Sequence, residues 1–445
     1  MKRIVVLYIL FLGLYTSFAQ DFPGIHSSRY FPLQNINNQP ADLIRSDARW
    51  NINVLSAQIG LANALNFNES DFMKQLSKVG FSDLKYFLGA DQSLFVGRGL
   101  LAFPSVSYKI NTKHAVAFSA SLRADGIYRS STDDVRKLFT GYDNPELLKD
   151  VSGEYFKSVV NQWMEYTLTW SGVLWNKDEH LITGGANVKY LVGGSSGYFD
   201  LDNIEVMYDK EKIDYFKVDV SYGVNKNLEE TISDGKLDLF GDAGLGMDFG
   251  MTYSYKPDDA ENIPYKFKVG LMVGDVGYVK HRSAVKQATY RVSIEDVPYS
   301  RFNGIETLDA LIDSLEKSVD FEKINNESYK MNLPTSVLLT GDYSITPTWY
   351  VSGLIGYQPG LYSQNLHIID NDIWKFNLTP RFENTTWGAY LPISYNNRID
   401  FSAGIAMRWK YVFIGSNTII TNVLNSEAKY GEFYFGINIP IGRVE

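Results

Sequence analysis

Five histidines, no cysteine and a scatter of carboxylates are the chain's means for chemistry. His26, His114, His180, His281 and His367 form no His-Glu-x-x-His or other close metal pair. The lack of cysteine excludes thiolate zinc sites and thiol nucleophiles. His26-Ser27-Ser28 is the one place where a histidine adjoins a serine, and it reads as a polar loop. Gly97-x-Gly99 begins a strand and precedes no helix, so it is no dinucleotide fingerprint. Gly193-Gly194-Ser195-Ser196-Gly197 lacks the Lys-Ser/Thr ending of a phosphate cradle and reads as a flexible loop. Asp200, Asp202 and Glu205 offer oxygen ligands without the full calcium-loop series and read as a solvated loop. No catalytic residue, metal or cofactor is expected. What stands out is a set of charges on the polar side of strongly alternating segments: Arg123, Asp125, Glu165, Lys189, Lys217, Asp219, Asp242, Asp248, Arg381, Asp400 and Arg408. Two kinds of chemistry suit such a set: a network of buried ion pairs, or the lining of a path. Mixed sign argues against a strongly ion-selective pore, which uses rings of one sign.

The elements that carry these charges are strands of an unusual kind. In Gly241–Lys256 the odd positions Ala243, Leu245, Met247, Phe249, Met251, Tyr253 and Tyr255 are apolar. The even positions hold only Gly, Asp, Thr and Ser. Strict alternation over this length is the pattern of a transmembrane barrel strand, apolar toward lipid and polar toward the lumen. A charge on the lipid face costs about 2–4 kcal/mol at mid-membrane, so the charged set points inward. Trp50, Tyr108, Trp163, Trp170, Tyr190, Trp349, Trp374, Trp387 and Trp409 fall near proposed strand ends, where barrels carry aromatic girdles.

Bulk properties agree. The 445 residues carry a net charge of −9, which lacks the basic stripe that nucleic acid requires. Mean hydropathy is −0.18, and beyond the extreme N-terminus no apolar run suffices for a spanning helix. Thirty-six glycines against 14 prolines suit small inward side chains and many turns.

In chain order, residues 1–19 read as a signal peptide: Lys2 and Arg3, the apolar Ile4–Leu14, then Ser17-Phe18-Ala19, with cleavage before Gln20. Residues 20–47, broken by Pro23, Pro32 and Pro40, are expected to be a periplasmic segment or a plug in the barrel mouth, with Asn38, Pro40 and Ala41 as plug candidates. Residues 48–445 are the barrel. Its sixteen candidate strands are 49–62, 98–110, 113–127, 158–172, 180–192, 214–225, 240–256, 264–279, 286–297, 335–345, 348–358, 372–383, 385–395, 399–409, 411–416 and 430–441. Fourteen remain if 286–297 and 411–416 fall away. Long links at 63–97, 128–157, 193–213 and 298–334 alternate with short ones, as external loops alternate with periplasmic turns. The 226–239 link is too long for its place in that scheme, and 396–398 too short. An amphipathic helix is expected at 305–319 and a shorter helix at 71–78.

Three stretches carry a resemblance: Asn35–Leu43 (NINNQPADL), Gly274–His281 (GDVGYVKH) and Leu333–Ile345 (LPTSVLLTGDYSI). They resemble an uncharacterised outer-membrane barrel family widespread in Bacteroidota. More distantly, Asn38-Gln39-Pro40-Ala41 is similar to the Asn-Pro-Ala element of long-chain fatty-acid transporters, with Gln39 interposed. That likeness implies a fourteen-stranded barrel with an N-terminal plug and passage of hydrophobic ligands.

The expected protein is therefore an all-β transmembrane barrel of 14–16 strands in the cell outer membrane, contacting outer-membrane lipid. It passes a hydrophobic or amphipathic small molecule. The alternative is a structural barrel that presents its external loops to another envelope or secretion protein.

Overall fold

The computed structural model describes residues 22–62, 94–130, 151–209, 212–228, 241–258, 263–282, 286–298, 324–325, 328–359, 373–397, 400–424 and 430–443. The signal-peptide reading of 1–19 and the helices expected at 71–78 and 305–319 lie outside them.

The described residues form a closed antiparallel barrel of fourteen strand lines. In chain order they are β1 (Ala48–Ala62), β2 (Leu94–Ala102 and Ser105–Lys109), β3 (His114–Ser130), β4 (Val151–Lys177) and β5 (His180–Asp209). Next come β6 (Lys212–Val224 and Ala243–Tyr255), β7 (Phe267–His281 and Lys286–Pro298) and β8 (Ile324–Asn325, Tyr329–Asn332 and Ser336–Ser344). The circuit continues with β9 (Trp349–Gln358), β10 (Ile373–Glu383), β11 (Trp387–Tyr390 and Ile393–Asn396) and β12 (Asp400–Ala403 and Ile405–Trp409). It ends with β13 (Val412–Ser416) and β14 (Tyr430–Arg443), and β14 pairs back onto β1, Ile52 opposite Ile439.

The count of sixteen is corrected by a merger. The segments 214–225 and 240–256 both pair with β5, the first with its residues 197–209 and the second with 180–192. They are one line of the wall, interrupted by an insertion. The same holds for 264–279 and 286–297 on β7, while 411–416 stands as β13. The anomalous 226–239 link is thus an insertion within β6 and not a turn between strands. The expected loop 193–213 is corrected too, because β5 runs unbroken to Asp209. Gly193–Gly197 lies inside that strand, at a register shift opposite Asn161–Trp163.

Two faces follow from the alternation. Along the Ala243–Tyr255 part of β6 the exposure pattern is strictly two-fold, with Leu245 61% exposed and Asp248 fully buried. Leu168, Leu271, Leu378, Phe401 and Phe433 continue the outward apolar belt on other strands. So much exposed apolar surface is unfavourable in water and is satisfied by lipid, so the barrel spans a membrane. Trp50, Trp170, Trp349, Trp374, Trp387, Trp409 and Tyr190 all stand outward. Trp163 does not: it is buried, facing the lumen beneath Arg123, and the expected girdle position is corrected.

The wall is uneven in height. Strand β10 has 11 residues and β9 has 10, close to the roughly 9–11 that cross a bilayer. Strands β4 and β5 have 27 and 30, so this side rises far beyond the girdle residue Tyr190.

Candidate functional site

The barrel's interior is occupied by its own N-terminal segment. Residues 22–46 fold into a 3-10 turn (Ile25–Ser27), a single α turn α1 (Pro32–Asn35) and a second 3-10 turn (Pro40–Arg45). Pro32 and Pro40 each open a turn, where a missing N–H costs no hydrogen bond. The first part packs Phe22, Ile25 and Phe31 against Leu100, Tyr390, Ala406, Phe413 and Tyr434 of β2, β11, β12, β13 and β14. Phe31 and Phe413 meet edge to face at 4.8 Å. The second part lays Leu33, Ile36, Leu43 and Ile44 on the small inward side chains Ala115 and Ala117 of β3.

Side-chain hydrogen bonds fix the segment around the wall. Gln34 Nε2 donates to Asn53 Oδ1 at 2.9 Å and to Ser56 Oγ at 3.1 Å on β1. Asn438 Nδ2 of β14 donates to the Tyr30 carbonyl at 3.1 Å. Ser171 Oγ of β4 donates to the Ala41 carbonyl at 2.9 Å and accepts from Ile44 N at 3.2 Å. Arg45 donates to Ser254 Oγ at 2.9 Å, and Lys268 pairs with Asp42 at 2.5 Å. Burial works against the Asp42 charge, but Lys268 and Arg45 overcome it and hold the carboxyl below its ordinary range.

The plug candidates sit at the tip of this segment. Pro40 and Ala41 lie against Gly185 of β5, where any Cβ would strike their backbone. The neighbouring Gly250 of β6 faces Gln39 and Pro40, and Gly270 of β7 faces the Gln39 amide. Three glycines on adjacent strands thus form a cradle that side chains would fill. Gln39 Nε2 donates to the Leu271 carbonyl at 3.3 Å and the Met251 carbonyl at 3.4 Å. Asn38 is fully buried.

Arg123, Glu165, Lys189 and Asp248 come together beside the tip. Lys189 Nζ lies 2.9 Å from Asp248 and 3.6 Å from Glu165, and Arg123 lies 3.2 Å from Glu165. The hub is a residue absent from the expected set: Asp275, at 2.6 Å from Lys189 and bound through both oxygens by Arg123 at 3.0 Å. Asp275 occupies a β-bulge with φ of 55°, which turns its side chain from the lipid face to the lumen. The signal in the sequence was the change of phase from Leu271 and Val273 to Val276 and Tyr278. Asn187 ties cluster to segment, donating to Asp248 at 2.6 Å and to the Ile36 carbonyl at 2.9 Å.

The remaining charges lie elsewhere. Asp125 is buried opposite Arg98 on the neighbouring strand. Arg381 binds Asp342 through both oxygens at 2.9 and 2.7 Å and Glu383 at 3.2 Å, forming a second cluster. Arg408 donates to main-chain carbonyls of Asn384, Thr385, Trp387 and Lys410 and stacks over Tyr30 at 4.0 Å. Lys217 pairs with Glu205 at 3.1 Å on the tall wall, half-exposed, and Asp219 accepts from Asn203 at 2.7 Å. Asp242 accepts from the Arg282 N–H at 2.5 Å, at the end of the insertion, and Asp400 is exposed at the rim. Asp200 and Asp202 flank Lys157 at 3.8 and 3.3 Å on strands and not in a loop. Among the described residues no group of side chains could hold a metal ion. His26 is buried and contacts the Phe22 carbonyl at 3.4 Å, while Ser27 Oγ donates to the Gly24 carbonyl, so the two form no dyad.

A family model described as a family of unknown function (DUF5723) matches residues 40–417. The chain belongs to that family. The DUF5723 match begins at Pro40, so it takes in the cradled tip together with the barrel as far as the turn after β13. A comparison with curated proteins finds no match. Among solved structures, a TodX monoaromatic hydrocarbon channel mutant is similar at 8% identity, with 96% of this chain and 98% of that chain covered and a TM-score of 0.48. The Ralstonia pickettii toluene transporter TbuX gives 9%, 94%, 98% and 0.45. The CymD monoaromatic hydrocarbon channel gives 9%, 98%, 99% and 0.45.

Proposed function

We propose that the protein is an outer-membrane transport barrel that passes a hydrophobic or amphipathic small molecule, with residues 22–46 as its gate. One observation carries this reading: what fills the lumen is a chain segment and not a lattice of ion pairs. The central cluster joins β3, β4, β5, β6 and β7, which are neighbours around one side. The cross-lumen network expected from the charges would have locked the barrel shut permanently. The tip of the segment instead rests on glycine, hydroxyl and amide groups, whose hydrogen bonds are individually worth about 1 kcal/mol, and on one ion pair, Asp42 with Lys268. The short-turn end, where the segment enters, faces the periplasm in this reading.

The test is uptake of a hydrophobic dye into liposomes carrying the full barrel or a variant lacking residues 21–47. Faster uptake by the truncated barrel supports gating. Unchanged uptake, with a stable partner still co-purifying, ends the transport reading. A second reading has its own support in the tall wall: β5 continues from Tyr190 to Asp209, beyond what a bilayer needs. That projection suits docking of another envelope protein, and trimming the hairpin around 210–211 would abolish co-purification while sparing uptake.

A further inference from the structure

A buried lysine stands apart from both ion-pair clusters. Lys375, on the inner face of β10, is 8% exposed, and its Nζ has no hydrogen-bond partner among the described residues. Its stem is held in place. Gly356, directly opposite on β9, leaves space that the Lys375 Cγ, Cδ and Cε occupy, and a Cβ there would collide with them. The amine is therefore held in an ordered position and is not a mobile surface group.

Among the described residues, the titratable groups within electrostatic reach are Arg98, Asp275, Glu432 and the imidazole of His26. Neither carboxylate is available. Asp275 is bound by Arg123 and Lys189. Glu432 accepts from Gln58 Nε2 on one oxygen and from the Tyr430 hydroxyl on the other, both at 2.6 Å. Among the described residues, a buried amine near a guanidinium, with both of these carboxylates bound by other donors, carries its charge at a cost that an incoming anion would offset. Lys375 lies opposite Asn396, at the end of its strand beside the 397–399 link, so it stands near the long-loop end of the low wall.

We infer that Lys375, with Arg98 nearby, is an anion-binding site in the lumen that takes the charged end, a carboxylate or phosphate, of an amphipathic molecule. This deepens the transport reading and rests on it. Three donors on Nζ suit an oxyanion.

The test measures binding of decanoate, 1-decanol and inorganic phosphate to the purified full-length barrel by calorimetry, for wild type, Lys375→Met and Lys375→Gln. Lys375→Met keeps the stem over Gly356 and removes only the charge, and heat-modifiable migration checks that each variant is folded. The inference expects decanoate to bind wild type at least tenfold more tightly than decanol. Both variants lose that preference, while decanol affinity stays unchanged. Competition by inorganic phosphate supports a site that reads the charge itself. Equal decanoate and decanol affinity in wild type, or a preference that survives in folded Lys375→Met, overturns the site and leaves transport standing. Phosphate binding with neither amphiphile bound overturns the cargo assignment, while transport is decided by the dye-uptake test.

Discussion

The two halves of the N-terminal segment meet very different walls. Phe22 to Phe31 sit on the low side of the barrel, on aromatic and apolar groups of β11 to β14, where the strands are short. Pro40 to Arg45 sit on the tall side, on glycines and hydroxyls of β4, β5 and β6, next to the charge cluster. Apolar burial is non-directional and scales with area, so the first contact tolerates small shifts. Hydrogen bonds and close glycine contacts demand position, so the second contact is either seated or lost. The low side anchors the segment and the tall side registers it. That asymmetry is what a gate requires, since one end must hold while the other releases.

The comparison breaks most severely if the tall wall loses its rigidity. Arg123→Ala leaves Asp275, Glu165 and Asp248 with Lys189 as their one shared cation, and the barrel is expected to lose about 3–5 kcal/mol, read as a lower unfolding midpoint in urea. A loss below about 1 kcal/mol would mean the cluster does not stiffen that wall. The anchor comes next. Phe31→Ala removes a fully buried ring from the low side and is expected to weaken docking of the segment by about 3 kcal/mol. Protease cleavage between residues 22 and 46 should become rapid, while heat-modifiability of the barrel persists. Gly185→Val follows at about 1–3 kcal/mol, because the new side chain displaces Pro40 and Ala41. It should free the tip while Phe31 remains docked, which tryptic cleavage after Arg45 without cleavage after Arg29 would distinguish. Loss of both contacts together would merge the two halves into one unit.

The smallest effect is acid release. The Asp42 carboxyl titrates below its ordinary range in the docked state, so its contribution is present above that range and is lost as the pH falls through the lowered value. Docking of the tip should be constant from neutral pH down to about 5 and loosen only below about 4, near the ordinary aspartate value. In Lys268→Met the opposing charge is gone, burial acts with less resistance, and loosening should move to higher pH. A tip that loosens at the same pH in both proteins would remove Lys268 from the latch.

Much of this architecture was legible in the residues themselves. A strand with lipid on one side must alternate, so Leu245, Met247, Phe249 and Met251 declare their face without reference to any neighbour, and Arg123, Lys189, Asp248 and Arg381 declare theirs by the cost of exposing charge to lipid. The proline-broken segment ahead of β1 was visible for the same local reason. Position around the barrel is not a local property. Whether 214–225 and 240–256 are two strands or one depends on which residues of β5 each meets, and only the register decides it. Asp275 had the parity of a lipid-facing residue until the bulge turned it inward. Gly185, Gly250 and Gly270 lie far apart in the chain, and they become one cradle only when three strands align beneath Pro40. The residues alone determined which side faces lipid in strands that alternate without a bulge, such as Ala243–Tyr255, because solvent preference belongs to each residue. The tertiary structure decided which charges meet and what fills the lumen, because those depend on pairings between residues far apart in the chain.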